Sequence, residues 1–413
     1  MHYDTTRALL SLATLAASTA CAPGRPDDME GVAEPLESPA RALSGEPFLS
    51  STEDGVVLSW LEQMPDGGHA LWFARLGPDG WTDRRMVARG EDFFVNWADF
   101  PSVVAGANGS LWAHWLQREQ AQGLAYGVRV ARSDDGGVSW SPPWTPHEDG
   151  TPTEHGFVSL FPMGEEMGLA WLDGRGYAEG PDGAPPSREM SVRFRAAGAD
   201  GPTRPERAVD TRTCDCCQTD VALASTGPVL VYRDRSEDEV RDIHVSRWDG
   251  LSWSRPKPVH EDGWKIAGCP VNGPAVAARG DRVVVAWFTA PGDAPEVRVA
   301  FSEDAARGFS DPARVDDGDP AGRVDVVLRE DGSALVSWLE RTGGDGAEVR
   351  IRRITGDRVV GPAVTVTAST AARASGFPRM VSLPWAPDTV LVAWTDVAAE
   401  GGARVRVAMV EAP

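Results

Sequence analysis

Five cysteines and four tyrosines in 413 residues leave little material for thiol or phenol chemistry. Positive charge is also short, with 40 Lys and Arg against 61 Asp and Glu and a formal net charge of -21. A surface of that sign excludes nucleic acid and anionic bilayers as partners, because both are held through clustered cations. Helical patterning is missing too: beyond the first twenty residues no long segment repeats its apolar positions at 3.6. What remains is a chain long enough for two average domains or one large all-β domain.

The start, "MHYDTTRALLSLATLAASTAC", has Arg7, an apolar run from Ala8 and small residues up to Cys21. The run is too short to span a bilayer and has the shape of a secretory signal over 1–20. Cys21 after Ser-Thr-Ala resembles a bacterial lipoprotein cleavage site, with Ser18 where Leu is usual; plain secretion is the alternative. The expectation is an exported outer-membrane lipoprotein, periplasmic or at the cell surface, touching the membrane only through lipid on Cys21. Residues 21–46 read as a tether and an edge strand, and 47–413 as the folded domain, expected to be a monomer.

Seven short apolar runs end in an aromatic: Trp60, Trp115, Trp171, Tyr232, Trp287, Trp338 and Trp394. They recur every 51 to 61 residues, each flanked by other β-type runs and Gly, Asp or Pro turns. That period predicts an all-β propeller of seven four-stranded blades, with six as the alternative. The last unit stops after its third strand, "VRVAMVEAP". Its open edge needs cover, and the segment near Glu34 to Leu43 is the candidate outer strand.

The turn "SDDGGVSW" places Ser133, Asp135, Gly137, Ser139 and Trp140 in the pattern Ser-x-Asp-x-Gly-x-Thr-Trp, with Ser in the Thr place. Weaker copies stand at "SRWDGLSW" and "SEDAARGF". In this the chain resembles the sialidase-like, Asp-box (BNR repeat) propellers of bacteria. The resemblance implies a structural turn at each box and, in active members, an arginine triad, an acid/base Asp and a Tyr nucleophile. The early Phe/Tyr-Arg-Ile/Leu-Pro motif of that family is absent here. Tyr177, in "DGRGYAEG", is the loop candidate for a nucleophile.

Three of the five cysteines crowd into "TRTCDCCQTD". Cys214, Cys216 and Cys217 fall between an outer strand and the next inner strand, and Cys269 falls on the equivalent connection one blade later. Propeller topology puts both connections on one face, near the funnel, so the four thiols should meet. Three readings stay open: disulfides Cys214–Cys217 and Cys216–Cys269, a Cu or Zn site with His260 or Asp215 as a further ligand, or a redox centre. Arg233, Arg235, Glu237, Trp264, Asn272 and Arg323 surround this face as candidate ligand-binding groups, with Trp264 expected to offer an exposed ring to a sugar. The polar residues two past each strand aromatic (Glu62, Gln117, Asp173, Asp234, Thr289, Glu340 and Asp396), and those entering the inner strands, are read as structural or as site groups.

Three functions follow as expectations. The first is a non-catalytic ligand-binding protein for a glycan or a soft metal. The second is a divergent exo-glycosidase using Asp234 and Asp325 as acid and base. The third is a scaffold whose blades are stapled by disulfides.

Overall fold

The computed structural model describes residues 33–120, 123, 125–180, 183–397 and 402–412. The segment expected to be a signal, Cys21 and the expected tether up to residue 32 lie outside them. The described residues form seven antiparallel sheets, each led by an inner strand. The inner strands are Ser44–Ser51, Ser102–Ala105, His155–Met163, Asp220–Ala224, Ala275–Arg279, Pro320–Leu328 and Arg379–Leu383 for blades one to seven. The predicted seven-bladed propeller is therefore observed. Blade two departs most, its fourth strand shrinking to one bridge between Val130 and Trp144.

Closure comes from the two ends of the described chain. Ala33–Leu36 runs antiparallel to Arg404–Glu411, pairing Ala33 with Val410 and Leu36 with Val407. It is the outer strand of blade seven, and it covers an edge that would otherwise pair with other chains.

The second strand of each blade is nearly all buried, as in the pattern from Val56 to Leu61. Its aromatic fills the space between neighbouring sheets, and Trp60, Trp171, Trp287 and Trp338 are among the largest fully buried side chains. A buried indole N–H needs an acceptor. Trp60 donates to Glu62 at 2.9 Å, Trp171 to Asp173 at 2.9 Å and Trp338 to Glu340 at 2.6 Å. In blade five Thr289 takes the acid's place, and Trp287 donates instead to Asp262 at 2.7 Å. These recurrent acids are core fixtures.

A second set of acceptors stitches the inner strands together. Asp99 accepts Phe157 N–H at 2.7 Å, Asp220 accepts Val276 N–H at 2.8 Å, Asn272 accepts Arg323 N–H at 2.7 Å and Asp325 accepts Met380 N–H at 2.7 Å. Phe157 and Arg323 sit at φ 51° and 55° in bulges of their strands. A bulge withdraws an amide from the ladder, and the neighbouring blade's side chain satisfies it.

The Ser133–Trp140 turn is tied by Asp135, which accepts the N–H groups of Val138 and Ser139 at 3.0 and 2.9 Å and the Ser139 hydroxyl at 2.6 Å. Gly137 N–H donates to Ser133 Oγ at 2.8 Å, and Trp140 packs edge-on to Phe73 of blade one.

Candidate functional site

The cysteine loop joins the outer strand Arg207–Thr213 of blade three to the inner strand Asp220–Ala224 of blade four. Two connections between second and third strands flank it. One carries Tyr177 and Glu189 in blade three; the other carries Arg235, Glu239 and Arg241 in blade four. Beyond lies the blade-four to blade-five connection with Cys269. It reaches the cysteine loop through Gly273, whose N–H donates to Gln218 Oε1 at 3.0 Å. A Cβ on Gly273 would stand 2.3 Å from the Gln218 carbonyl oxygen, so only glycine permits this approach.

The ligand atoms of Cys214, Cys216 and Cys217 all lie within 4.8 Å of one another. Cys214 Sγ is 3.5 Å from Cys217 Sγ and 3.9 Å from Cys216 Sγ. Cys214 and Cys217 are buried, each 1% exposed, while Cys216 is half-buried and Cys269 exposed. Cys269, on the next connection, is near enough to Cys216 for each to shift the other's pKa, but stands outside the trio whose ligand atoms meet. All four are free thiols here.

Cations face this cluster. Arg241 Nη1 donates to Cys214 Sγ at 3.2 Å and lies 3.4 Å from Asp215, while its Nη2 holds Glu239 at 2.8 Å. Arg233 is buried at 1% exposure and gives all its bonds to carbonyls: Asn272 at 2.9 and 3.0 Å, Arg241 at 2.6 Å and Phe288 at 2.6 Å. Thiol donation from Cys216 and Cys217, then the two guanidiniums, hold the Cys214 pKa well below the ordinary thiol value. Burial pushes Cys217 up, and its contacts with Cys214 and the other thiols push Cys216 up. The arrangement favours the thiolate form of Cys214, with the neighbouring thiols as its hydrogen-bond partners. A soft cation can take the place of the thiol protons.

Beside the thiols opens a cleft of about 430 Å³ lined by Glu154, Thr153, Met190, Tyr177 and Asp215. Tyr177 O–H donates to Asp215 Oδ2 at 3.1 Å, and burial of Tyr177 with the nearby Asp215 charge raises its pKa to about 12. Burial, then Asp215, raises the pKa of Glu154. A phenol held this way is a hydrogen-bond donor, poorly set up as a nucleophile.

The remaining expected residues are distributed as follows. Trp264 is 5% exposed, edge-on to Phe288 and 4.9 Å beneath the Arg233 guanidinium, so it braces the loop and offers no ring to a sugar. Asn272 and Arg323 are buried; Arg323 donates to the carbonyls of Gly376, Ala371 and Ala372 and lies over the Trp97 ring. Arg235 pairs with Glu239 at 2.7 Å, and Glu237 is exposed, 3.7 Å from Arg212. His260 Nδ1 meets Asp262 at 2.7 Å, on the acid that serves Trp287. Asp234 and Asp325 are not brought together. Asp325 is buried beside Arg379 at 3.2 Å, whereas Asp234 faces Asp210 and His244 in another cleft. Arg241 and Glu239 were missed in the sequence, although "EDEVRD" follows the aromatic strand of the most charged unit.

No protein-family model matches the chain, and no curated protein sequence matches it significantly. Among solved structures it is similar to the BP39L lectin from Burkholderia pseudomallei, with TM-score 0.56 and 13% identity over 90% of this chain and 97% of that one. It is also similar to the polysaccharide lyase Uly1, with TM-score 0.52 and 8% identity over 89% and 90%. Trypanosoma rangeli sialidase matches with TM-score 0.43 and 12% identity, over 80% of this chain and 56% of that one. At such identities the first two likenesses establish a propeller fold and leave the chemistry to the site.

Proposed function

We propose that this chain is an exported, lipid-anchored propeller of the Asp-box class that binds a soft metal ion, Cu(I) or Zn²⁺, without turning over a substrate. One observation carries the reading: three thiols on a four-residue stretch converge within 4.8 Å, with a fourth cysteine beside Cys216. Thiolate donors select soft cations, and Asp215 stands at the rim as a further ligand. Export and lipidation rest on Arg7, the apolar run from Ala8 and Cys21.

Protein purified anaerobically should hold about one Cu(I) or Zn²⁺ per chain, lose it to a chelator, and then show four reactive thiols. Cys214→Ser and Cys217→Ser should each abolish retention. Two disulfides and no bound metal would replace this reading with the stapled scaffold.

A second reading draws on the cleft beside the thiols, where Tyr177, Thr153, Glu154 and Asp215 present hydroxyl and carboxylate groups suited to sugar hydroxyls. The lectin and lyase likenesses are compatible with a glycan there. A glycan array with the metal-loaded protein tests it, and Tyr177→Phe should weaken any hit.

A further inference from the structure

The seven blades repeat a charge arrangement that one of them breaks. On the third strand, directly across from the core aromatic, stand Arg129 opposite Trp115, Arg193 opposite Trp171, Arg298 opposite Trp287, Arg350 opposite Trp338 and Arg406 opposite Trp394. Each meets an acid: Arg129 meets Glu119 at 3.6 Å, Arg193 meets Glu206, Arg298 meets Asp262 at 2.5 Å, Arg350 meets Glu348 at 2.7 Å and Arg406 meets Asp396 at 3.5 Å. Blade one has Trp72 at this position, with Arg84 stacked 4.1 Å over it and bound to Glu62. Every one of these six blades therefore sets a guanidinium beside its acid.

Blade four has Tyr232 for the tryptophan and His244 for the arginine. The Tyr232 hydroxyl reaches past the usual acid and donates to Asp210 Oδ2 at 2.7 Å. Asp234, which occupies the position of Asp173 and Glu340, is left without an indole to serve. His244 Nε2 is 3.6 Å from Asp234 Oδ2. No group among the described residues bonds its Nδ1, so the protein imposes no tautomer. Two carboxylates thus stand where the other blades have a carboxylate and a fixed cation. The neighbouring guanidiniums form their ion pairs elsewhere, Arg212 with Glu189 at 3.1 Å and Arg235 with Glu239 at 2.7 Å, and Arg212 reaches Asp234 only through the longer-range pull of its charge.

We propose that Asp210, Asp234 and His244 form a second metal site, for a divalent cation with nitrogen and oxygen preference such as Mn²⁺, independent of the thiol centre. Their ligand atoms lie within 4.8 Å of one another. They open on a cleft of about 550 Å³ that also holds Ser236 and the exposed Arg255. Three protein donors and an open side leave coordination positions for water or for an anionic ligand, with Arg255 on the wall of the same cleft. The cation supplies the positive charge that a guanidinium supplies in the other blades. The Asp210 oxygen that Tyr232 holds keeps lone-pair capacity for a metal.

Mn²⁺ is the probe, because it takes nitrogen and oxygen donors and avoids the thiolates of the other site. Titration followed by loss of the free-ion paramagnetic resonance signal should show one bound Mn²⁺ in the wild type. Binding should be unchanged in Cys214→Ser and weakened at least tenfold in Asp234→Asn. His244→Arg restores the pattern of the other blades; it should keep the fold, by circular dichroism, and abolish binding. If that variant does not fold, His244→Gln carries the comparison. No saturable binding by the wild type up to millimolar Mn²⁺, or binding indifferent to Asp234→Asn and to the His244 changes, overturns the site. A failure of the thiol centre leaves this result untouched.

Discussion

Asp99 of the connection before blade two accepts the amide of Phe157, the residue at φ 51° in blade three, at 2.7 Å. The carboxylate is buried, at 2% exposure, and burial raises its pKa to about 7 against the pull of the Phe157 amide and the Tyr126 hydroxyl. The folded chain therefore keeps this proton up to about pH 7, whereas an unfolded Asp releases it near pH 4. Between those values the native state binds more protons than the unfolded one, so this group's contribution to stability falls as pH rises. Asp99→Asn should flatten the decline between pH 4 and 7 by at most about 1.4 kcal/mol per pH unit. Urea melts at three pH values in that window check it; parallel curves for the two proteins would refute it.

Arg233 satisfies the carbonyls of Asn272, Arg241 and Phe288 from a fully buried position. Methionine there removes every donor and leaves these carbonyls, two of them in buried bonds, without their partner. Arg233→Met should cost ~3 kcal/mol or more in denaturant unfolding. A change below 1 kcal/mol would mean that water takes over these carbonyls.

Gly273 holds the two cysteine-bearing connections together by bringing its α-carbon against the Gln218 backbone. Gly273→Ala should push the Cys269 loop away from Cys216 while sparing the blades. The expected result is at least a tenfold loss of soft-metal retention with a modest fall in Tm. Unchanged retention would show that Cys269 is dispensable to the centre.

The strand Ala33–Leu36 protects the edge of Arg404–Glu411. A chain beginning at residue 41 should melt well below the full chain and associate through that exposed edge in light scattering. A monomer of unchanged Tm would show that blade seven holds with three strands.

The blade count was legible because each unit places one large aromatic at the same point of a continuous apolar run, and a strand apolar on both faces is buried between neighbouring sheets. The meeting of the cysteine loops was legible for a related reason: topology alone assigns a connection to a face. Trp264 was not, because nothing local distinguishes a loop ring that stacks on a ligand from one capped by Arg233, which is distant in sequence. The pair Asp234 and Asp325 failed similarly, since both acids occupy repeat positions but one terminates a second strand and the other lies in an inner strand. The arginines opposite the core aromatics did leave a signal. An arginine follows Trp287, Trp338 and Trp394 by nearly the same interval as His244 follows Tyr232, and aligning the units on the aromatic exposes the exception.

The pairing of Ala33 with Val410 has a temporal consequence. A contact between residues this far apart in sequence carries the largest loop-closure entropy among the described strand pairs, and it cannot form before Val410 has been synthesised. Blades one to six can pair their strands in succession as the polypeptide emerges, yet the wheel stays an open arc until Arg404–Glu411 has been made. Loop-closure entropy of that size makes the seal a late step of folding.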